Sequence, residues 1–370
     1  MWLQYRANLC LFFLVLISFS IFVVAAGAPL QIRCPIQSLY QLGDSISDTG
    51  NVVRLFPIAP SSRRPYGETF PGYPTGRWSD GRLIIDYIAL ALGLPLLNPY
   101  LDKNASFNNG VNFAAAGSTA LKSSFFLAKG ILPQPVPSLG VQLKWFRKYL
   151  KSICSTPTEC ANKLSRSLVF VGEFGYNDIG FAISQRRSIQ EIQNYIPLVT
   201  QAVINATREV IKAGASQVIV PGNFPLGCFP YYLFYGASDD PTSYDDLGCL
   251  KSVNKLTTFE NTGLQGALES LRKEFPNAII LYADYYNAFQ SLLREAPTLG
   301  FDTTNLLKAC CGIEGQYNPL DLGFCGNLLG GRACPNPNVY IHWDGIHLTQ
   351  EAYRRMSQTL ISNLGLNCTQ

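Results

Sequence analysis

The sequence predicts an α/β protein of three layers, α/β/α, around a central and mostly parallel sheet. Short apolar runs of strand length recur along the chain, as strands buried on both faces require. Segments with helical spacing of apolar residues separate them, and that alternation implies a parallel sheet covered on both sides. The 370 residues contain no low-complexity linker, heptad run or internal repeat, so one large domain over residues 29–370 is expected.

The elements follow in order. Ser38 to Leu42 reads as a short strand ending at Gly43-Asp44-Ser45. After a Pro- and Gly-rich stretch from Phe56 to Ser79, Asp80 is the expected N-cap of a helix over Gly81 to Leu92. Its apolar face would be Leu83, Ile84, Tyr87, Ile88 and Ala91. Gly110 to Ala116 reads as a second buried strand ending at Gly117, and Leu139 to Leu150 as a helix. Leu168 to Val171 is fully apolar and runs into Gly172-Glu173-Phe174-Gly175-Tyr176-Asn177-Asp178. A long helical pattern covers Ile189 to Lys212, with Pro197 expected to kink it. Gln217 to Val220 and Ala278 to Tyr282 read as strands, with a long loop from Pro221 to Gly248 and a helix from Ser252 to Phe275 between them. A short helix near Tyr285 to Glu295, an irregular cross-linked region from Cys310 to Cys334 and a helix from Thr349 to Leu364 complete the chain.

Hydrophobic residues make up 47% and charged residues 15%, the balance of a well-cored globular protein. The formal charge of +4 is diffuse, with basic pairs at Arg63-Arg64, Arg186-Arg187 and Arg354-Arg355 far apart in sequence. No nucleic-acid partner is expected from that pattern. A dinucleotide glycine fingerprint and a P-loop are both absent, so no cofactor is implied. No zinc site is expected either, because no C-x2-C pair faces a second one.

Residues 1–28 read as a signal peptide: Arg6, an apolar run from Leu9 to Val24, then the small residues Ala26-Gly27-Ala28. An uncleaved anchor is the alternative. No later segment is apolar for long enough to span a membrane, so no stable membrane insertion is expected after cleavage. Setting aside Cys10 leaves ten cysteines, which read as a disulfide set in an oxidising compartment. Cys154–Cys160 and Cys228–Cys249 are the expected local pairs, with Cys310 and Cys311 bonding towards Cys325 and Cys334. Glycosylation sequons at Asn104, Asn205 and Asn367 agree with passage through the secretory pathway, to an extracellular site or a vacuole lumen.

The reactive residues are few. The only histidines are His342 and His347, and the latter closes Asp344-Gly345-Ile346-His347. A serine nucleophile needs a base, and the base needs a carboxylate to hold its tautomer. Ser45, His347 and Asp344 are the candidate triad. Ser45, Gly117 and Asn177 each follow an expected strand end, where open parallel sheets place their sites. Taken singly, Gly-Asp-Ser is a common turn, Asn177-Asp178 a loop or cap, and Asp344-x-x-His347 a surface turn. Asp48 and Asn51 read as turn and capping residues. His342 is the rival base, and its ordinary reading is a pocket or core histidine.

Gly43-Asp44-Ser45-Ile46-Ser47-Asp48-Thr49-Gly50-Asn51 resembles the opening block of the plant GDSL esterase/lipase family, within the SGNH hydrolases. Asn112-Phe113-Ala114-Ala115-Ala116-Gly117, Gly175-Tyr176-Asn177-Asp178 and Trp343-Asp344-Gly345-Ile346-His347 resemble its later blocks, in order. The resemblance implies a flavodoxin-like SGNH fold and carboxylic-ester hydrolysis through an acyl-serine. It implies Ser45 as nucleophile, His347 as base and then acid, and Asp344 as its orienting carboxylate. Ser45 N–H, Gly117 N–H and the Asn177 amide would form the oxyanion hole. Within the family, Tyr40-Gln41-Leu42, Tyr66-Gly67-Glu68-Thr69-Phe70-Pro71 and Cys310-Cys311-Gly312 resemble esterases of acylated plant specialised metabolites, which implies a small-molecule ester with a short acyl group.

Tyr176 and Trp343, beside catalytic positions, are the candidate substrate contacts. The aromatic loop from Phe224 to Tyr235 either covers an apolar ligand or packs around the Cys228–Cys249 bridge. An acyltransferase, a polysaccharide acetylesterase and a catalytically silent binding protein stay open as alternatives, and the sequence does not determine an oligomeric state.

Overall fold

Five strands form one parallel sheet: β1 Ser38–Leu42, β2 Gly110–Asn112, β3 Ser167–Val171, β4 Gln217–Pro221 and β5 Ile279–Ala283. The structure, a computed structural model, describes residues 31–312, Tyr317, Cys325 and residues 332–368. The expected signal peptide and Cys10 lie outside the described residues. The strand order is β2-β1-β3-β4-β5, with Leu39 beside both Gly110 and Leu168. The chain winds outward from β1 in both directions. In such a sheet the crevice for ligands opens beyond the carboxyl ends of the strands on either side of that reversal, here β1 and β3.

Strand side chains alternate between two cores. Leu39, Leu168, Phe170, Ile219 and Ile279 face one, where the helices Ile84–Ala91, Tyr285–Leu299 and Gln350–Leu364 pack. Tyr40, Leu42, Val169, Val171, Val218 and Val220 face the other, against Leu139–Ile153, Ile196–Lys212 and the second half of Lys251–Glu274. Each fully buried side chain of this size stabilises the fold by roughly 1.5–3 kcal/mol. These two cores make the three expected layers.

Several elements differ from expectation for local reasons. Asp80 does not cap the first long helix, which starts at Ile84. Its carboxylate instead accepts from Gln350 N and Thr69 Oγ1, tying distant loops together, while Asp86 Oδ2 accepts from Leu83 N at 2.9 Å. Pro197 does not kink a long helix. The pattern breaks into Ile189–Gln193 and Ile196–Lys212, and Pro197 sits in the first turn of the second, where a missing N–H costs nothing. Strand β2 stops at Asn112, whose side chain donates to Ser47 O and accepts from Ala114 N, turning the chain out of the sheet. Gly110 is required there, since a Cβ would lie 1.7 Å from Leu39 O. The loop from Pro221 contains a helix, Pro230–Tyr235.

Disulfides join Cys154 to Cys160, Cys228 to Cys249, Cys310 to Cys334 and Cys311 to Cys325, as expected. A fifth, Cys34–Cys368, spans 334 positions and had no local signal. No helix among the described residues is long and apolar enough to cross a membrane.

Candidate active site

The loop after β1 is held from several sides. Gly43 N–H donates to Gln142 Oε1 at 3.0 Å, and Gln142 Nε2 donates back to Gly43 O at 2.8 Å. Asp48 accepts from Gly50, Asn51 and Val52 N–H, so it caps the short helix Asn51–Leu55 as expected. It also accepts from Ala116 N at 2.9 Å, which ties the first block to the second. Burial pushes its carboxyl up to about 6, against the pull of those four N–H donors. Asn51 Nδ2 adds bonds to Asn112 O and Ala114 O. Between these anchors Asp44 Oδ1 accepts from Ile46 N at 2.9 Å, making the turn that carries the buried Ser45.

Gly117 has φ +78°, a left-handed conformation that favours glycine, and a Cβ there would meet Gln134 Oε1 at 2.3 Å. The N–H groups of Ser45 and Gly117 donate to no group among the described residues. Asn177 opens the helix Tyr176–Ser184, and its Nδ2 donates to Asp44 Oδ2 at 2.7 Å and to Ser118 O at 3.0 Å. Both N–H groups of that amide are thus engaged in the free protein. Asp178 accepts from Ala120 N and Leu121 N and so fastens the Gly117 loop to the same helix; burial raises its carboxyl to about 7.

Asp344 and His347 lie on the loop before the last helix. Asp344 Oδ1 accepts from the backbone N–H of Ile346 and His347, both at 2.8 Å. His347 Nδ1 lies 2.8 Å from Asp344 Oδ2, which also accepts from Tyr66 OH at 2.8 Å. Burial pushes the Asp344 carboxyl up, but the charge of His347 and these bonds together hold it below its ordinary value. His347 Nε2 is buried with no hydrogen-bond partner among the described residues, and Trp78 covers the ring at 5.1 Å. The charge of His347 reaches Asp44, the neighbour of Ser45. Tyr176 OH donates to Ile346 O at 3.3 Å, and Tyr231 N–H to Gly345 O at 2.9 Å, binding this loop to the rest of the site. The four sequence blocks therefore converge.

A cavity of about 350 Å³ adjoins them, lined by Asn177, Tyr176, Gly180, Phe181, Tyr231, Tyr232, Tyr235 and Ile346 among others. Larger clefts of about 680 and 560 Å³ contain none of the reactive residues. Tyr176 lines the cavity. Trp343 does not: it is fully buried 5.8 Å from Tyr66, behind the histidine loop, because that loop turns its indole into the core. The aromatic loop divides between both expectations. Phe224 and Phe229 pack in the core with Phe289, whereas Tyr231, Tyr232 and Tyr235 face the cavity. His342 is buried 5.0 Å from Phe229, neither ring nitrogen has a partner among the described residues, and burial lowers it to about 3. Trp78 and Gln142 were not singled out from sequence, and Tyr66 stood only within a family motif; their roles depend on contacts distant along the chain. Asn104, Asn205 and Asn367 are all exposed.

A family model described as GDSL-like lipase/acylhydrolase matches residues 39–360. The chain belongs to that family. It is a carboxylic ester hydrolase, consistent with its relatives. It is 54% identical to acetylajmalan esterase 1 of Rauvolfia serpentina over 95% of this chain and 92% of that one. It is 53% identical to acetylajmalan esterase of the same plant, over 94% and 91%. GDSL esterase/lipase At1g28600 of Arabidopsis thaliana is 40% identical, over 94% and 90%. This GDSL hydrolase thus extends along nearly the whole of each relative.

Proposed function

We propose that the chain is a secreted serine esterase that removes a short acyl group, acetyl first of all, from a bulky plant specialised alcohol such as an alkaloid. The observation that carries the chemistry is the His347 ring. Asp344 holds Nδ1 at 2.8 Å and leaves Nε2 buried without a partner. A neutral imidazole held in that tautomer is a general base waiting for a hydroxyl proton.

Ser45 Oγ attacks the ester carbonyl as His347 Nε2 takes its proton. The carbonyl oxygen becomes an oxyanion and accepts from Ser45 N–H, Gly117 N–H and the Asn177 amide. Such preorganised donors are worth about 3–4 kcal/mol each. The intermediate collapses as His347 protonates the departing alcohol, leaving acyl-Ser45. Water then attacks the acyl carbon, giving its proton to His347, and the acid leaves as Ser45 Oγ takes that proton back.

The names of the two Rauvolfia relatives support an acetylated alkaloid as substrate. So does the cavity, whose lining combines aromatic rings with neutral polar side chains and, among the described residues, carries no charge. Ring faces of Tyr231, Tyr235 and Phe181 suit a fused ring system, and they attract a protonated amine. The disulfides and the exposed sequon asparagines support passage through the secretory pathway.

The test is hydrolysis of p-nitrophenyl acetate, butyrate and decanoate, and of an acetylated ajmalan, by the glycosylated protein and its Ser45→Ala variant. Acetate should be the fastest of the three nitrophenyl esters, and the variant should be inactive on all substrates. Equal rates from both proteins would refute the serine mechanism, and preference for decanoate would refute the short acyl group.

A further inference from the structure

Next to Asp44, the neighbour of Ser45, lies a carboxyl group that the reaction above does not use. Glu173 follows β3 by two residues and is 1% exposed. Neither of its carboxyl oxygens receives an N–H or O–H from an ordinary donor among the described residues. Its carboxyl instead lies within hydrogen-bonding reach of another acid, Asp44. Two carboxyl groups can share a hydrogen bond only if one of them carries a proton. The donors decide which. Asp44 accepts two N–H bonds, from Ile46 N and Asn177 Nδ2, and suits the anion. Glu173 accepts none and suits the acid.

We propose that Glu173 is a positioning residue that stays protonated in the active enzyme and donates its O–H to Asp44, leaving the Asn177 amide free to turn to the oxyanion. This inference rests on the reading that Ser45, Gly117 and Asn177 receive that oxyanion.

The surroundings agree. Asp178 faces Glu173 from the helix Tyr176–Ser184 and Glu260 from the helix Lys251–Glu274. The tyrosines that an ionised Glu173 would act on are Tyr176, Tyr232, Tyr285 and Tyr353, each on a different helix and each held neutral by burial. Among the leading influences on the pair the one cationic group is His347, and it acts on Asp44. Burial, then Asp44 and the other acids, push the Glu173 carboxyl well above the usual range.

In the free protein the two N–H groups of Asn177 are committed to Asp44 Oδ2 at 2.7 Å and Ser118 O at 3.0 Å. The oxyanion must compete with Asp44 for one of them. An O–H donated to Asp44 withdraws charge from that carboxylate and weakens its hold on the amide. Loss of the proton would place two anions under a developing third.

The experiment measures kcat and KM for p-nitrophenyl acetate with the full-length glycosylated protein, Glu173→Gln and Glu173→Met. Glutamine keeps the length and an N–H donor and never ionises; methionine keeps the length and donates nothing. Glu173→Gln should retain a kcat close to the wild type. Glu173→Met should lose about 100-fold in kcat with KM unchanged, as when one oxyanion donor is removed. A Glu173→Gln enzyme that loses as much as Glu173→Met overturns the proposal, because the ionised carboxylate would then be what matters. So does a Glu173→Met enzyme with wild-type kcat. Should the methionine variant not fold, as judged by its melting curve, Glu173→Gln decides alone: a hundredfold loss there overturns the proposal. Activity that survives in Ser45→Ala, measured alongside, would overturn the underlying serine reading instead.

Discussion

Replacing His342 with leucine should make the protein more resistant to acid while leaving ester hydrolysis intact. His342 is fully buried between Phe229 and Phe289, and burial lowers its imidazole from 6.5 to about 3. Its folded value lies below its unfolded one. Nothing is lost above pH 6.5, where both states are neutral. As the pH falls through 6.5 the unfolded chain gains a proton that the folded chain refuses, and stability drops until about pH 3. At pH 4 the gap to the unfolded value is 2.5 pH units, and at about 1.36 kcal/mol each the penalty is about 3 kcal/mol. Leucine has similar volume, belongs among the same aromatic rings and does not titrate. The assay is urea unfolding of both proteins at pH 7 and pH 4. The variant should gain about 3 kcal/mol on the wild type between those two conditions. Parallel losses in both proteins would refute the reasoning, since His342 would then be accepting its proton in the folded state. Esterase activity at pH 7 supplies a second check. Its disappearance from a folded His342→Leu protein would transfer the role of base from His347 to His342.

Two more expectations follow from named contacts. Tyr66→Phe removes the O–H donated to Asp344 at 2.8 Å but leaves the ring between Trp78 and Trp343. A bond to a charged group is worth about 1.5–3 kcal/mol, so kcat for p-nitrophenyl acetate should fall about tenfold or more. The acid limb of the pH–rate profile should move upward as Asp344 loses a stabilising donor. Replacing Cys34 and Cys368 together with serine opens a link spanning 334 positions. Melting should show a loss of about 3–5 kcal/mol, with turnover at 25 °C unchanged.

Much of this architecture is legible in the chain because a strand buried on both faces has to be apolar throughout. Leu168 to Val171 is an example, and the residues just beyond such strands are where a parallel sheet places its chemistry. The triad candidates were legible for a further reason: with two histidines in the sequence, few partners exist for a serine. What escaped depended on distance. Asp80 has the chemistry of a helix cap, but it serves Gln350 and Thr69 instead. Trp343 sits next to Asp344, yet adjacency does not reveal that its ring turns inward while Ile346 lines the cavity. Tyr66 lies 278 positions from the carboxylate it supports, and the motif that it opens does not reveal that contact. Pro197 is the converse case, where a residue known for breaking helices begins one.

The strand of chain that carries the histidines is sewn to the cysteine-rich region. Cys310 N–H donates to His342 O at 2.9 Å, and Cys311 N–H to Trp343 O at 2.7 Å. Both cysteines are disulfide-bonded, to Cys334 and Cys325. Neither bridge joins a strand of the sheet or a helix packed on it, whereas His347, the proposed base, is mounted on a segment braced by both. Production in a reducing cytosol should therefore yield chains that assemble the layered body yet turn over poorly. Yield of soluble material is then a misleading guide to yield of working enzyme, and the choice of expression host becomes part of the chemistry.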